Sequence, residues 1–223
     1  MLMTNSKIFQ HNTYNTLYGG FYEGTITLEE ALKHGSAGIG TLDTANGEVT
    51  ILDGVAYHGS SENKVRIVEK DETLPYVAVV DHQPLTSFTD ASCSSASEFL
   101  SALTEKLPTK SAAYSIVIAG FFKTMTISSK PAGNTEPYLD ILAKQPHFTR
   151  ENACGTIVGI WSPKHLADLF GDGFHLHFIS SDKTFSAHVQ DFVIDKVTVE
   201  FGKIDSIQQV FPVDNENFEK HQF

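Results

Sequence analysis

The chain has 223 residues, 41% of them hydrophobic, and a formal net charge of −11. That length and apolar content suit one large domain or two closely packed small ones with a full core. The acidity argues against a nucleic-acid or anionic-membrane partner, and no run approaches the roughly 18 apolar residues of a membrane span. In chain order, Met1 to Gln10 lacks the charged-then-apolar sequence of a secretory leader, which with only two cysteines, Cys93 and Cys154, predicts free thiols in a reducing cytoplasm. Leu28 to His34 reads as a short helix capped by Thr27, with Glu30 three residues on. Gly35, Gly38 and Gly40 then mark tight turns or close packing, without the GK[ST] ending of a phosphate loop. Glu48–Leu52 and Val55–Tyr57 read as a hairpin turned by Asp53-Gly54. Val65–Val68 and Tyr76–Val80 continue as strands.

Ser95-Ala-Ser-Glu98 is a capping box that opens a helix to about Lys106, with Phe99, Leu100, Leu103 and Leu107 as its apolar stripe. Ala113 to Phe122 is strongly β-prone. Lys130 to Pro137 holds two prolines and a glycine, so it reads as a loop and as the boundary between a β-rich half at 1–130 and a second half at 131–223. The two halves are either closely packed or a single structural domain. Thr156–Trp161 is a strand, Ser162-Pro163 supplies N-cap and N1 for a helix to Phe170, and Val197–Phe201 is a last strand. The tally is α+β: mostly antiparallel or mixed sheet with a few helices.

The chemistry sits at His175-Leu176-His177 and at His188, eleven residues beyond His177. Two histidines at i and i+2 share one face of a strand. With a turn centred on Asp182-Lys183, His177 lies opposite His188 and His175 is a diagonal neighbour, about 4.5–5.5 Å and 7–8 Å away between Cβ atoms. Three imidazoles and an open position make the pattern of a catalytic zinc site. The other reading of the same residues is a partly buried histidine cluster with hydrogen-bond partners.

From about Ile8 to Pro212 the chain resembles the α-acetolactate decarboxylase family. The resemblance rests on Phe9-Gln10, Leu32-Lys-His-Gly35, Gly38-Ile-Gly-Thr41, Gly47-Glu48, Gly155-Thr-Ile-Val-Gly-Ile160 and Gly173-Phe-His-Leu-His-Phe-Ile-Ser180 with His188-Val189. It implies a β-rich two-part fold, a homodimer, Zn2+ held by His175, His177 and His188, and conversion of α-acetolactate to acetoin and CO2. A metal on ketone and hydroxyl oxygens acts as a Lewis acid, and a nearby carboxylic acid delivers the proton to carbon. Glu48 matches the family's glutamate and is the candidate for that role, although an acid in a hairpin is by default exposed.

Several family positions are not kept. Counting from Gly120, Ser128 stands where the family carries an arginine, and serine offers no cationic fork. Lys130, two residues on, is the candidate replacement as a point charge; the default for a loop lysine is solvation. Glu136 replaces a second arginine, Ser36 an aspartate, Ser186-Ala187 a glycine pair and Cys154 a basic residue. The family's acidic tail residue has no clear counterpart in Glu216 or Glu219. Three readings follow: a zinc-dependent acetolactate decarboxylase, weakened or rescued by Lys130; a zinc lyase or isomerase for another hydroxy-ketone or keto acid; and a non-catalytic metal-binding paralogue.

Overall fold

The structure, a computed structural model, describes residues 6–223; the first five residues of the stretch read for a leader lie outside them. The first part comprises β1 (Ser6–His11), α1 (Tyr14–Tyr18), β2 (Ile26–Thr27), α2 (Leu28–Leu32), β3 (Ala37–Leu42), β4 (Asn46–Leu52), β5 (Val55–Gly59), β6 (Val65–Ile67), β7 (Thr73–Leu74), β8 (Tyr76–Val80) and β9 (Thr86–Asp90). Then follow α3 (Ala96–Lys106), β10 (Tyr114–Ser128), α4 (Tyr138–Lys144), β11 (His147–Ser162), α5 (Ala167–Phe170), β12 (Gly173–Ser180), β13 (Ser186–Val210) and α6 (Glu216–Lys220). The class is the expected α+β.

The main sheet runs β10-β11-β12-β13-β1-β8-β3-β4-β5-β6, and β10 also pairs with β13. That extra pairing closes β10 to β13 into a small barrel. Its interior holds Phe122, Phe178, Phe192 and Phe201, and α3 covers one side through Phe99 and Leu103. A second core, between the sheet β1-β8-β3-β4-β5 and α2, is built from Phe9, Leu28, Val49, Ile51 and Val79. Most pairings are antiparallel; β1 against β13 is parallel.

Local chemistry explains the elements that were legible. The Ser95 side chain accepts from the Glu98 amide and Glu98 reaches back, as the capping box requires. Asp53 and Gly54 have φ of 52° and 75°, the paired left-handed conformation of a type I′ turn. Three elements differ from expectation because long-range pairing overrides local pattern. The strand read as Val197–Phe201 is 25 residues long, Ala113–Phe122 extends to Ser128, and Thr156–Trp161 begins at His147. Their polar extensions alternate with apolar residues and find partners across the barrel. Ser162 does not cap the following helix; a short 3-10 turn at Lys164–Leu166 precedes α5.

Candidate functional site

β12 and β13 pair with His177 directly opposite His188, the register the hairpin reading required. His175 is on the same face, and the three side chains offer ligand atoms that all lie within 4.8 Å of one another. The ring centroids are 5.2–5.5 Å apart. Two rings are oriented through their far nitrogens. His175 Nδ1–H donates to the Phe170 carbonyl at 3.0 Å, and His177 Nδ1–H donates to the Val49 carbonyl at 2.9 Å. Each bond fixes the tautomer and leaves Nε2 as a lone pair. The buried Nε2 of His177 has no hydrogen-bond partner. Burial lowers all three imidazoles, His175 to about 4, so they are neutral at pH 7. Neutral, convergent, oriented imidazoles with an orphaned nitrogen fit a divalent metal such as zinc.

Glu48 and Lys130 are the other half of the site. Both expectations of exposure are wrong: Glu48 is 4% and Lys130 3% exposed. Lys130 Nζ is paired with Glu48 Oε1, and Glu48 Oε2 lies 3.4 Å from His177 Nε2, without hydrogen-bond alignment. The reason Lys130 is buried is tertiary. Pro131 and Gly133 shape a loop, but Ser129 Oγ donates to the Gly59 carbonyl at 2.7 Å, Gly47 N–H donates to the Lys130 carbonyl at 3.2 Å, and Asn134 Nδ2 donates to the Thr44 and Ala45 carbonyls. These bonds lay the loop across the β4–β5 hairpin. Burial raises the Glu48 carboxyl, and the Lys130 ammonium pulls it back.

Gly47 positions that acid. Its φ is +61°, and an added Cβ would come within 2.6 Å of the Gly59 carbonyl oxygen and against the buried His58 ring. Glycine is therefore required immediately before Glu48.

The pair and the histidines line one cavity of about 140 Å³. Its remaining wall includes Thr41, the last residue of the Gly38–Thr41 motif, and Tyr14, Tyr76, Tyr138 and Gln190, to which the sequence assigns no role. Gln190 had a signal available: two residues past His188, it shares that strand face. Ser128 is fully buried, is paired in register with His188, and accepts a bond from Gln190 Nε2 at 2.7 Å. Arg150 is remote from the cavity: it pairs with Asp182 and lies over the Phe185 ring. Glu136 pairs with Lys144. Cys93 and Cys154 are free thiols. Among the described residues, no helix is long and apolar enough to cross a membrane.

A β-rich fold with three neutral histidines on one barrel face and a buried acid beside them defines a site that could hold a divalent metal next to a carboxyl group. The chain belongs to the α-acetolactate decarboxylase family, whose model matches residues 8–223. It is 41% identical over 214 residues to the α-acetolactate decarboxylase of Lactococcus lactis subsp. lactis, covering 96% of this chain and 91% of the relative. To that of Streptococcus thermophilus it is 40% identical, covering 95% and 90%. Among solved structures, a Staphylococcus aureus protein described as similar to α-acetolactate decarboxylase superposes with a TM-score of 0.94 at 32% identity, covering 97% of this chain and 94% of that one. The acetolactate decarboxylase of Bacillus subtilis subspecies spizizenii gives 0.93 at 28% identity, with the same coverage.

Proposed function

We propose that this chain decarboxylates α-acetolactate to acetoin and CO2, with zinc held by His175, His177 and His188. When bound, zinc supplies Lewis acidity toward the ketone and hydroxyl oxygens of the substrate. In the reaction the bond to the carboxylate carbon breaks and its electron pair flows to the adjacent ketone. The carbon that lost CO2 then takes a proton. Glu48 is the proton donor: its Oε2 faces the histidines, while Oε1 is held by Lys130. Lys130 positions that carboxyl, and its charge is engaged by it. Hydrogen bonds through the loop after β10 keep both groups out of water, where their electrostatic effect is greatest.

The observation that carries this reading is the convergence of the histidine face and the buried Glu48–Lys130 pair on one small cavity, in a member of this family. The test is acetoin release from racemic acetolactate by the zinc-loaded protein; no acetoin above the metal-free background would refute it. The homodimer is part of the same proposal and is read by light scattering.

One feature favours a second reading, a zinc lyase or isomerase for another hydroxy-ketone or keto acid. Among the described residues lining the cavity, the one side-chain cation is Lys130, and Glu48 already occupies it. Ser128→Arg would restore a fork beside His188. If it leaves acetolactate binding and turnover unchanged, that position does not set substrate choice.

A further inference from the structure

Tyr76 opens β8 directly opposite Thr41 and lines the same cavity. It is 2% exposed. Its ring lies nearly parallel to the His175 imidazole, at 9° and 6.3 Å between centroids, and meets the Tyr14 ring edge-on at 5.8 Å. Held from both directions, the ring does not swing out. A ring flip leaves the phenol oxygen in place, because that oxygen lies on the flip axis.

The Tyr76 hydroxyl is buried and has no hydrogen-bond partner in the protein. Two other tyrosine hydroxyls are matched: that of Tyr22 donates to the Glu136 carbonyl at 2.9 Å, and that of Tyr114 donates to the Thr109 carbonyl at 3.1 Å. Leaving a buried hydroxyl unmatched is costly, and structures rarely keep such a group without a use. The Thr41 hydroxyl, on the strand position opposite, donates to the Gly47 carbonyl at 2.8 Å and makes no hydrogen bond with Tyr76. An acceptor for Tyr76 therefore comes from what fills the cavity, a water or the ligand that displaces it.

We propose that Tyr76 is a substrate-contacting residue, whose phenol donates a hydrogen bond to the carboxylate of a short hydroxy-keto acid. This rests on the decarboxylase reading. Ketone and hydroxyl oxygens are the pair suited to the histidine face, which leaves the carboxylate for the aromatic wall. Lys130 is engaged by Glu48 and does not offer that carboxylate a free charge. A neutral donor also suits a carboxylate that must leave. It orients the group without the full stabilisation that a guanidinium gives, and stabilisation withheld from the ground state is not lost as CO2 forms.

Tyr76→Phe keeps the ring and removes only the hydroxyl. The ligands are 2,3-dihydroxy-2-methylbutanoate, which carries the carboxylate, and butane-2,3-diol, which lacks it. Titrated calorimetrically into the zinc-loaded proteins, the acid should bind the variant about 10- to 150-fold more weakly, the range of one hydrogen bond to a charged group. The diol should bind both proteins alike. The thermal midpoint of the ligand-free variant should not fall, because the lost hydroxyl had no partner. For acetolactate, kcat/KM should drop by a similar factor, mainly through KM. Equal binding of the acid to both proteins, equal weakening of acid and diol, a midpoint lowered by several degrees, or a wild-type protein that binds neither ligand would overturn the proposal. Turnover by the wild type with no selective loss in the variant refutes the Tyr76 role and leaves the decarboxylase reading standing. Selective loss of acid binding in a protein that releases no acetoin does the reverse.

Discussion

Replacing Lys130 with methionine keeps the stem and deletes the ammonium. The side chains of Lys130 and Glu48 are 4% and 5% exposed, so water does not rehydrate the abandoned carboxylate. The value of under about 1 kcal/mol for a surface pair therefore does not apply. Stranding one member of a buried pair costs about 3–5 kcal/mol. With a urea m-value of about 3 kcal/mol/M for a chain of this size, the midpoint should move down by roughly 1–1.7 M. Glu48→Gln strands the ammonium instead and should cost a comparable amount. The double variant removes both charges and should recover more than half of the summed loss. Urea titrations of the metal-free proteins at neutral pH, followed by far-UV circular dichroism, complete the cycle. A single-variant shift below about 0.3 M, or a double variant as unstable as the two singles added, would show that the pair is not energetically buried.

Three further outcomes follow from the same geometry. Zinc at 1,000 times its Kd should stabilise the wild-type protein by about 4 kcal/mol; His177→Ala should abolish that increment, and an undiminished zinc-induced rise in thermal midpoint would remove His177 from the ligand set. Gly47→Ala should cost about 2 kcal/mol or more, because a left-handed φ alone costs roughly 1–2 kcal/mol and the Gly59 carbonyl leaves no room for a Cβ; denaturation midpoints measure it, and a loss under 0.5 kcal/mol, about the noise of a neutral surface change, would contradict the packing. Burial lowers the His11 imidazole to about 4. Between that value and the unfolded 6.5 the unfolded chain holds a proton the folded chain does not, so this stability is complete above pH 6.5 and is lost as pH falls toward 4. At about 1.4 kcal/mol per pKa unit the loss is about 3 kcal/mol at most. His11→Gln should flatten the stability profile across that window, and an unaltered profile would count against it.

What was legible in the chain was what adjacent residues decide. The Asp182-Lys183 turn aligns His177 with His188, Ser95 and Glu98 cap α3, and Asp53-Gly54 turns β4 into β5. The ligand face needed only the two-residue period of a strand. The burial of Glu48 and Lys130 needed contacts that no local pattern contains. Lys130 lies in a Pro- and Gly-containing segment that reads as exposed, and it is buried because distant carbonyls of β5 and the turn before β4 hold that segment down. Tyr76 opens a plainly apolar strand, where a tyrosine looks like any other core aromatic. Its hydroxyl becomes informative only once every protein partner is accounted for.

The two halves of the site differ in how much chain must be closed to build them. His177 and His188 meet across an eleven-residue separation. His177 meets the Val49 carbonyl across 128 residues, and Lys130 meets Glu48 across 82. Loop-closure entropy grows with the logarithm of that separation, so the contact to Val49 costs about 2 kcal/mol more than the histidine hairpin on this account alone. On loop closure alone the hairpin of imidazoles is the inexpensive half, and the contacts that bring Glu48 to it are the costly one. The histidine face is thus a local property of the chain, whereas the Glu48–Lys130 pair depends on the complete fold.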